Sequence, residues 1–344
     1  MNNNGLAKVI IDPRARIAYA SYYIQGIIEL FGVKNVHFKM SPFKMLIHKY
    51  DEDAFDQFFA FIVMKNGEVR KIVIDYKDNY PINSEAHKWC DVYGKVNLNE
   101  NETDFTSFPK IKPIGPGFGI KIWNYPVTIF KAVINIMKCF RYLDVKLYPF
   151  LYGYYWQIKR LPIQEFRYIP SDGKKIFFVS TLWKNDNCIK STNVLRAAFV
   201  ETCKKININF EGGLYTKPSS VEYIKYKDLV YSKFVSFSSY LQKTQKSAVV
   251  FNTPSVFNCH GWKLGEYFAL GKAIISTPLS NMMPAEVEHG RNIHFIKNTS
   301  ELEDSINKIL CDNDYRASLE KGALEYFNEF LAPVKVIERL TENS

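Results

Sequence analysis

AVVFNTPSVFNCHGWKLGEYFALGKAIISTP, residues 248–278, encodes a strand, a loop, a helix and a second strand in unbroken succession. Residues 248–252 form a short apolar run rich in β-branched side chains, the pattern of a strand covered on both faces. Residues 264–270 carry helical spacing, and Gly271 can close that helix by taking a left-handed backbone conformation. Residues 273–277 return as a second buried strand, which makes the pair parallel. Glu266 therefore falls at a helix start beyond the carboxyl end of a parallel strand, where open α/β sheets bind their ligands.

Within this stretch, Gly265-Glu266-Tyr267-Phe268-Ala269-Leu270-Gly271-Lys272-Ala273-Ile274-Ile275-Ser276 resembles the E-A-x-A-x-G-x-P-V-I segment of GT-B glycosyltransferases. The resemblance implies two Rossmann-like α/β domains facing a cleft, with a C-terminal helix crossing back to the first domain. It also implies a nucleotide-sugar donor whose ribose hydroxyls bond to Glu266. A carboxylate suits that task because it accepts two hydroxyl hydrogen bonds at once, and charge-assisted bonds are the stronger kind. Many of these enzymes carry a second acidic residue eight positions earlier, against the transferred sugar; this chain has Asn258 there. An amide binds sugar hydroxyls without supplying the negative charge, so the retaining assignment does not transfer. The competing reading of Glu266 is a glutamate near a helix N-terminus, favoured by the helix dipole alone.

The length of 344 residues suits two α/β domains. The expected division is an acceptor-binding domain at 1–165, a donor-binding domain at 171–325, and a helical segment at 326–344 that packs back on the first. Hydrophobic residues at 47% and aromatics at 15% place the chain among folded proteins. A formal charge of +10 points to acidic partners such as nucleoside diphosphates or anionic lipid head groups. Lys, Asn, Ile, Tyr and Phe are all abundant, as an A/T-rich genome imposes, so part of the lysine excess carries no function. No nucleic-acid-binding motif accompanies the charge, and nucleic acid is not an expected partner. The six cysteines lack C-x-x-C pairs or metal-ligand spacing and read as reduced thiols of a cytosolic protein. No signal peptide and no apolar run of membrane-spanning length is recognised.

The first half alternates strand and helix patterns: strands at 8–12, 59–64, 71–75, 92–98 and 110–114, with a helix at 18–31, in the rhythm of a parallel sheet. Gly115-x-Gly117-x-Gly119 lacks the rest of a dinucleotide fingerprint and reads as a tight turn. Residues 127–143 form an amphipathic helix, followed by YPFLYGYYWQIKRLP. That stretch has two readings. One is a peripheral membrane face that meets a lipid-linked acceptor; the other, taken as the expectation, is a helix packed on its sheet followed by an aromatic interdomain linker. The second half gives strands at 175–180, 208–210 and 233–236, helices at 192–205 and 238–246, then the opening stretch, 293–296 and a helix at 299–311. Residues 315–330 and 334–340 are helical, broken at Pro333.

On the donor side, the loop after strand 175–180 presents Thr181, Trp183 and Lys184, and the following helix offers Arg196, whose fork fits phosphate oxygens. The loop before Glu266 adds Asn258, His260, Gly261 and Lys263. On the acceptor side, Arg14 and Arg16 follow the first strand, and Asp78, Glu85 and His87 are candidates for the general base that an inverting reaction needs. Lys184 reads equally well as a solvated lysine, Arg196 as a helix-surface ion pair, and Arg14 and Arg16 as a basic surface loop. Asp51-Glu52-Asp53 and Asp312-Asn313-Asp314 are poorly placed for a metal site, the second reading as a helix cap. The expectation is therefore no metal and no cofactor beyond the nucleoside-diphosphate-sugar itself; the resemblance to GT-B glycosyltransferases implies a glycan or lipid-linked acceptor in bacterial surface-polysaccharide assembly. A nucleotide-sugar 2-epimerase and a non-catalytic glycan- or partner-binding subunit are the alternatives.

Overall fold

The computed structural model describes residues 7–48, 58–142, 147–171 and 173–342. The chain divides into two compact units, one of residues 1–165, 282–284 and 330–344, the other of residues 166–281 and 285–329. Asp51-Glu52-Asp53 lies outside the described residues.

In the first unit the chain runs β1 (Lys8–Ile11), α1 (Ile17–Phe31), β2 (Val36–Phe38), β3 (Phe58–Lys65), β4 (Glu68–Asp75), α2 (Ser84–Trp89), β5 (Val92–Lys95), β6 (Ile111–Pro113), α3 (Tyr125–Cys139) and α4 (Leu147–Lys159). The six strands form one sheet in the order β2-β1-β3-β4-β5-β6. This sheet departs from the parallel rhythm expected of the first half. β3 pairs antiparallel with both β1 and β4, while β1 with β2, β4 with β5 and β5 with β6 pair parallel. The physical reason is the two-residue turn Asn66-Gly67, with φ of 53° and 84°. Left-handed conformation at both positions gives the turn whose twist matches antiparallel strands, and Asn-Gly is its strongest sequence signature. Because β3 reverses twice, β1, β4 and β5 still point the same way, and their carboxyl ends share one edge.

The second unit runs β7 (Ile176–Thr181), α5 (Asn193–Lys205), β8 (Phe210–Tyr215), α6 (Val221–Lys225), α7 (Phe237–Lys246), β9 (Val250–Asn252), α8 (Trp262–Ala269), β10 (Ile274–Ser276), β11 (His294–Phe295), α9 (Leu302–Cys311) and α10 (Asn313–Tyr326). Its strand ladders are all parallel: β7 with β8, and β10 with both β9 and β11. Ala248 N–H donates to Lys175 C=O at 2.8 Å, which ties the chain entering β9 to that entering β7. Phe178, Phe199 and Phe251 pack within the core; Phe199 and Phe251 stack with ring centroids 4.6 Å apart, and Phe178 meets Phe199 edge-on. No strand forms at 233–236, which runs as irregular chain with an exposed Phe234. Asp312 caps α10 by accepting from Tyr315 N–H at 2.9 Å.

The last helix, α11 (Pro333–Thr341), belongs to the first unit and packs on α1. Pro333 opens it, since a helix's first turn has no use for the missing N–H. Tyr22 of α1 donates to Leu331 C=O at 2.6 Å and fixes the approach. The cysteines are free thiols, and all but Cys311 are buried. Among the described residues no helix is long and apolar enough to cross a membrane.

Candidate functional site

The carboxyl ends of β7 and β9, with the start of α8, bring together most of the residues read as donor-binding. Gly261 caps α8, which begins at Trp262, so Glu266 sits one turn inside the helix, five residues after the cap. It is buried, and its Oε2 accepts from the Tyr240 hydroxyl of α7 at 2.9 Å. Burial first, and then the Glu266 carboxylate, push the Tyr240 hydroxyl well above its ordinary pKa, so it remains a donor. Gly271 closes the helix with φ of 56°, as its left-handed role requires.

Lys263, one turn before Glu266, turns its ammonium onto Val179 C=O of β7. Burial lowers its pKa to about 7; the nearby Arg196 guanidinium adds to that, and Glu266 opposes it. Arg196 reaches from α5 into the same place. Its Nε donates to Thr253 Oγ1 at 3.0 Å and its Nη1 to Thr181 C=O. Burial pushes even this guanidinium down to about 10. Two cations and one carboxylate therefore share a desolvated corner at the strand ends. Both cations donate to neutral protein oxygens there, and desolvated cations of this kind occur at functional sites as well as in structural networks.

The loop between β9 and α8 carries the other candidates. Phe257 and Asn258 both have left-handed backbones, φ 54° and 58°. Asparagine tolerates that region well and phenylalanine does not, so the turn stores strain at Phe257. Asn258 C=O accepts from the Asn281 amide at 3.0 Å, and Ser255 N–H donates to Cys259 C=O at 3.1 Å, which closes the loop. His260 is buried. A Cβ placed on Gly261 would meet only Ser255 Cβ, at 3.9 Å, and its φ of −73° is ordinary, so neither backbone nor packing demands glycine there.

Thr181 ends β7, and Trp183 and Lys184 lie on the loop after it, all three exposed. Trp183 is clamped by a residue the sequence reading missed: Asn193 at the start of α5 accepts from Trp183 N–H at 3.0 Å and donates to Trp183 C=O at 2.8 Å. Asn193 also bonds Glu222 at 2.8 Å. Tyr240 and Thr253 were missed too, since each meets its partner across long stretches of chain. Lys272, quoted in the resemblance, is a core residue: fully buried, it donates to Gln245 C=O at 2.8 Å.

In the first unit, Arg14 is corrected from an acceptor-binding residue to a structural one. Its side chain is buried, pairs with Asp12 at 2.7 Å, and donates to Leu46 and Phe43 carbonyls at 2.8 and 2.9 Å. His48 joins the same Asp12 at 3.2 Å. Burial alone would raise Asp12, but His48 and Arg14 outweigh it and hold the carboxyl at about 2. Arg16 is half-buried with its guanidinium 4.6 Å over the Tyr19 ring. Of the candidate bases, Asp78 is exposed beyond β4. Glu85 pairs with Lys88 on the surface of α2 at 3.1 Å. His87 is buried edge-on to Phe108, with its pKa lowered first by that burial and then by Lys110. His87 is therefore enclosed by the protein, while Glu85 stays on the surface.

No family model matches the chain, and no curated protein matches it. Solved structures do resemble it. The C-terminal domain of a group 1 family glycosyltransferase (LpcC) from Francisella tularensis shares 14% identity over 46% of this chain and 86% of that one, with a TM-score of 0.33. The Anabaena protein HepE, in complex with UDP and glucose, shares 15% over 74% of this chain, with a TM-score of 0.42. The chain spans 63% of HepE's length. A glycosyltransferase from Rickettsia africae shares 13% over 79% of this chain and 71% of that one, at a TM-score of 0.43. At these identities and overlaps the likeness gives no residue of this chain a role.

Proposed function

We propose that the protein is a GT-B glycosyltransferase that moves a sugar from a nucleoside-diphosphate donor to a hydroxyl of a glycan or lipid-linked acceptor in bacterial surface-polysaccharide assembly. The observation that carries the reading is the convergence of Glu266, Lys263 and Arg196 at the carboxyl ends of parallel strands β7 and β9. A carboxylate for ribose hydroxyls beside desolvated cations for a diphosphate is the charge pattern of a nucleotide. The open space at Gly261 and the strained turn at Phe257-Asn258 support a loop shaped for close approach of a ligand. Trp183 and Lys184, held on the loop clamped by Asn193, reach the same donor from β7. Asn258 and His260 contact its sugar or phosphate. In the first unit Arg16 contacts the acceptor, and Asp78, Glu85 and His87 are the candidate bases.

As the sugar passes to the acceptor oxygen, its bond to the diphosphate breaks and the departing nucleoside diphosphate takes on charge, which Lys263, Arg196 and the α8 N-terminus stabilise. Transfer should therefore persist in EDTA; full loss, restored by Mn²⁺ or Mg²⁺, contradicts this. Donor turnover measured with and without acceptor tests the reaction class. Turnover dependent on acceptor supports transfer, turnover without it supports a 2-epimerase or hydrolase, and binding without turnover supports a non-catalytic subunit.

A further inference from the structure

Helix α3 is built the wrong way round for a helix that merely covers a sheet. Its polar residues Thr128 and Asn135 are buried, at 1% and 0% exposure, whereas Phe130, Val133, Met137 and the following Phe140 form an outward stripe, each at least half exposed. The inner face is joined by hydrogen bonds: Asn135 to the Tyr154 hydroxyl at 2.9 Å, and Gln157 to Thr128 Oγ1 at 3.1 Å. Polar glue inside and apolar side chains outside is the arrangement of a helix that faces something other than water.

The neighbouring α4, expected as a linker, continues the surface. Tyr148, Tyr152 and Tyr155 form an exposed ladder with successive ring centroids 5.5 and 6.1 Å apart, and Trp156 packs edge-on to Tyr152 at 5.7 Å. Lys159 lies over Tyr155 and Arg160 over Trp156. Where α3 meets β2, a pocket of ≈ 570 Å³ gathers Lys39, Lys131 and Lys138 beside Phe130 and Ile134. Burial, and then Lys138, lowers the pKa of Lys131; burial, and then Lys39, lowers that of Lys138, so the three cations crowd one another.

We infer that the α3–α4 face docks on an anionic membrane surface, with aromatics at the lipid interface and the Lys39–Lys131–Lys138 pocket on a lipid phosphate. Charge decides the occupant. The described residues 121–142 and 147–162 carry six Lys and Arg and no acidic residue. A second copy across a two-fold axis would set this positive face against itself, whereas anionic head groups complement it. Tyr and Trp belong where one end of a side chain is apolar and the other wet, and lysine stems reach along apolar surface to keep their charge in water.

The test is co-sedimentation of the full chain with phosphatidylcholine vesicles made with and without phosphatidylglycerol. The expected result is binding to the anionic vesicles only, weakened by salt. Phe130→Ser with Tyr148→Ser should lower it at least tenfold, and Lys39→Gln, Lys131→Gln and Lys138→Gln should cost about fivefold each. Circular dichroism checks the fold, and donor binding in the second unit should be unchanged in every variant, which separates this inference from the proposed function. Equal binding to both vesicles, no binding to either, or concentration-dependent self-association that Phe130→Ser abolishes would each overturn it.

Discussion

Tyr240 on α7 donates a 2.9 Å hydrogen bond to Glu266 Oε2 on α8, so the carboxylate at the centre of the proposed donor site is aimed by a residue 26 positions away in the chain. Tyr240→Phe removes that donor while keeping the ring. It should lower stability by about 1–3 kcal/mol, the usual cost of leaving a buried acceptor short of a partner, and weaken nucleotide binding by freeing the carboxylate to turn. Urea unfolding and calorimetry read the two effects. Unchanged nucleotide affinity would mean that Tyr240 does not position Glu266.

Lys263 should make donor binding depend on pH. Its pKa of about 7 in the free protein, lowered chiefly by burial, leaves it about half neutral at neutral pH. A diphosphate beside it favours the charged form and raises that pKa. Binding then takes up a proton, and affinity for a nucleotide sugar should fall as pH rises above 7, by up to about tenfold per unit until the pKa of the complex is passed. Calorimetry in two buffers with different heats of protonation measures the uptake, and Lys263→Met should abolish it. The same shift has a consequence for folding: the folded pKa lies below the unfolded value near 10.4, so this group's contribution to stability rises with pH between the two.

Arg14→Met should unfold the first unit more readily, by up to about 3–5 kcal/mol, because it removes the guanidinium paired with the buried Asp12 and leaves His48 as the remaining cationic partner. Asp12, held at about 2 in the folded protein, contributes stability that is fully present above its unfolded pKa of about 4. That contribution, on the order of 2 kcal/mol, is lost as pH falls through the window between them. Acid titration of stability should show this loss in the wild type and a smaller one in Asp12→Asn. An Arg14 variant with normal stability but impaired transfer would restore the acceptor-binding reading.

The second unit was the more legible half. Strands buried on both faces, a helix with clean spacing and Gly271 with its positive φ all speak through neighbouring residues, which is why 248–278 is readable by itself. In the first unit the Asn66-Gly67 turn was present in the sequence, but the surrounding strands were read in the βα rhythm and the reversal of β3 was lost. The α4 helix was taken for a linker because aromatics on its outer face obscure the inner stripe of Phe150, Gly153, Tyr154 and Gln157. Site residues named by chain proximity to Glu266 converge, as Lys263 does. Those defined by long-range pairing, such as Asn193 with Trp183, Tyr240 with Glu266, and Arg14 with Leu46, leave no local mark.

The most direct measurement is calorimetric titration of wild type and Glu266→Gln with a panel of nucleoside diphosphates, beside the matching nucleosides. The substitution keeps size and hydrogen-bonding reach but exchanges a charged acceptor for a neutral one. Losing a charge-assisted bond costs about 1.5–3 kcal/mol, which corresponds to a drop in affinity of roughly 10- to 150-fold. Lys263→Ala and Arg196→Ala should instead erase the preference for diphosphate over nucleoside. A folded Glu266→Gln protein that binds every nucleotide as the wild type does would contradict the donor site, and with it the proposed glycosyltransferase.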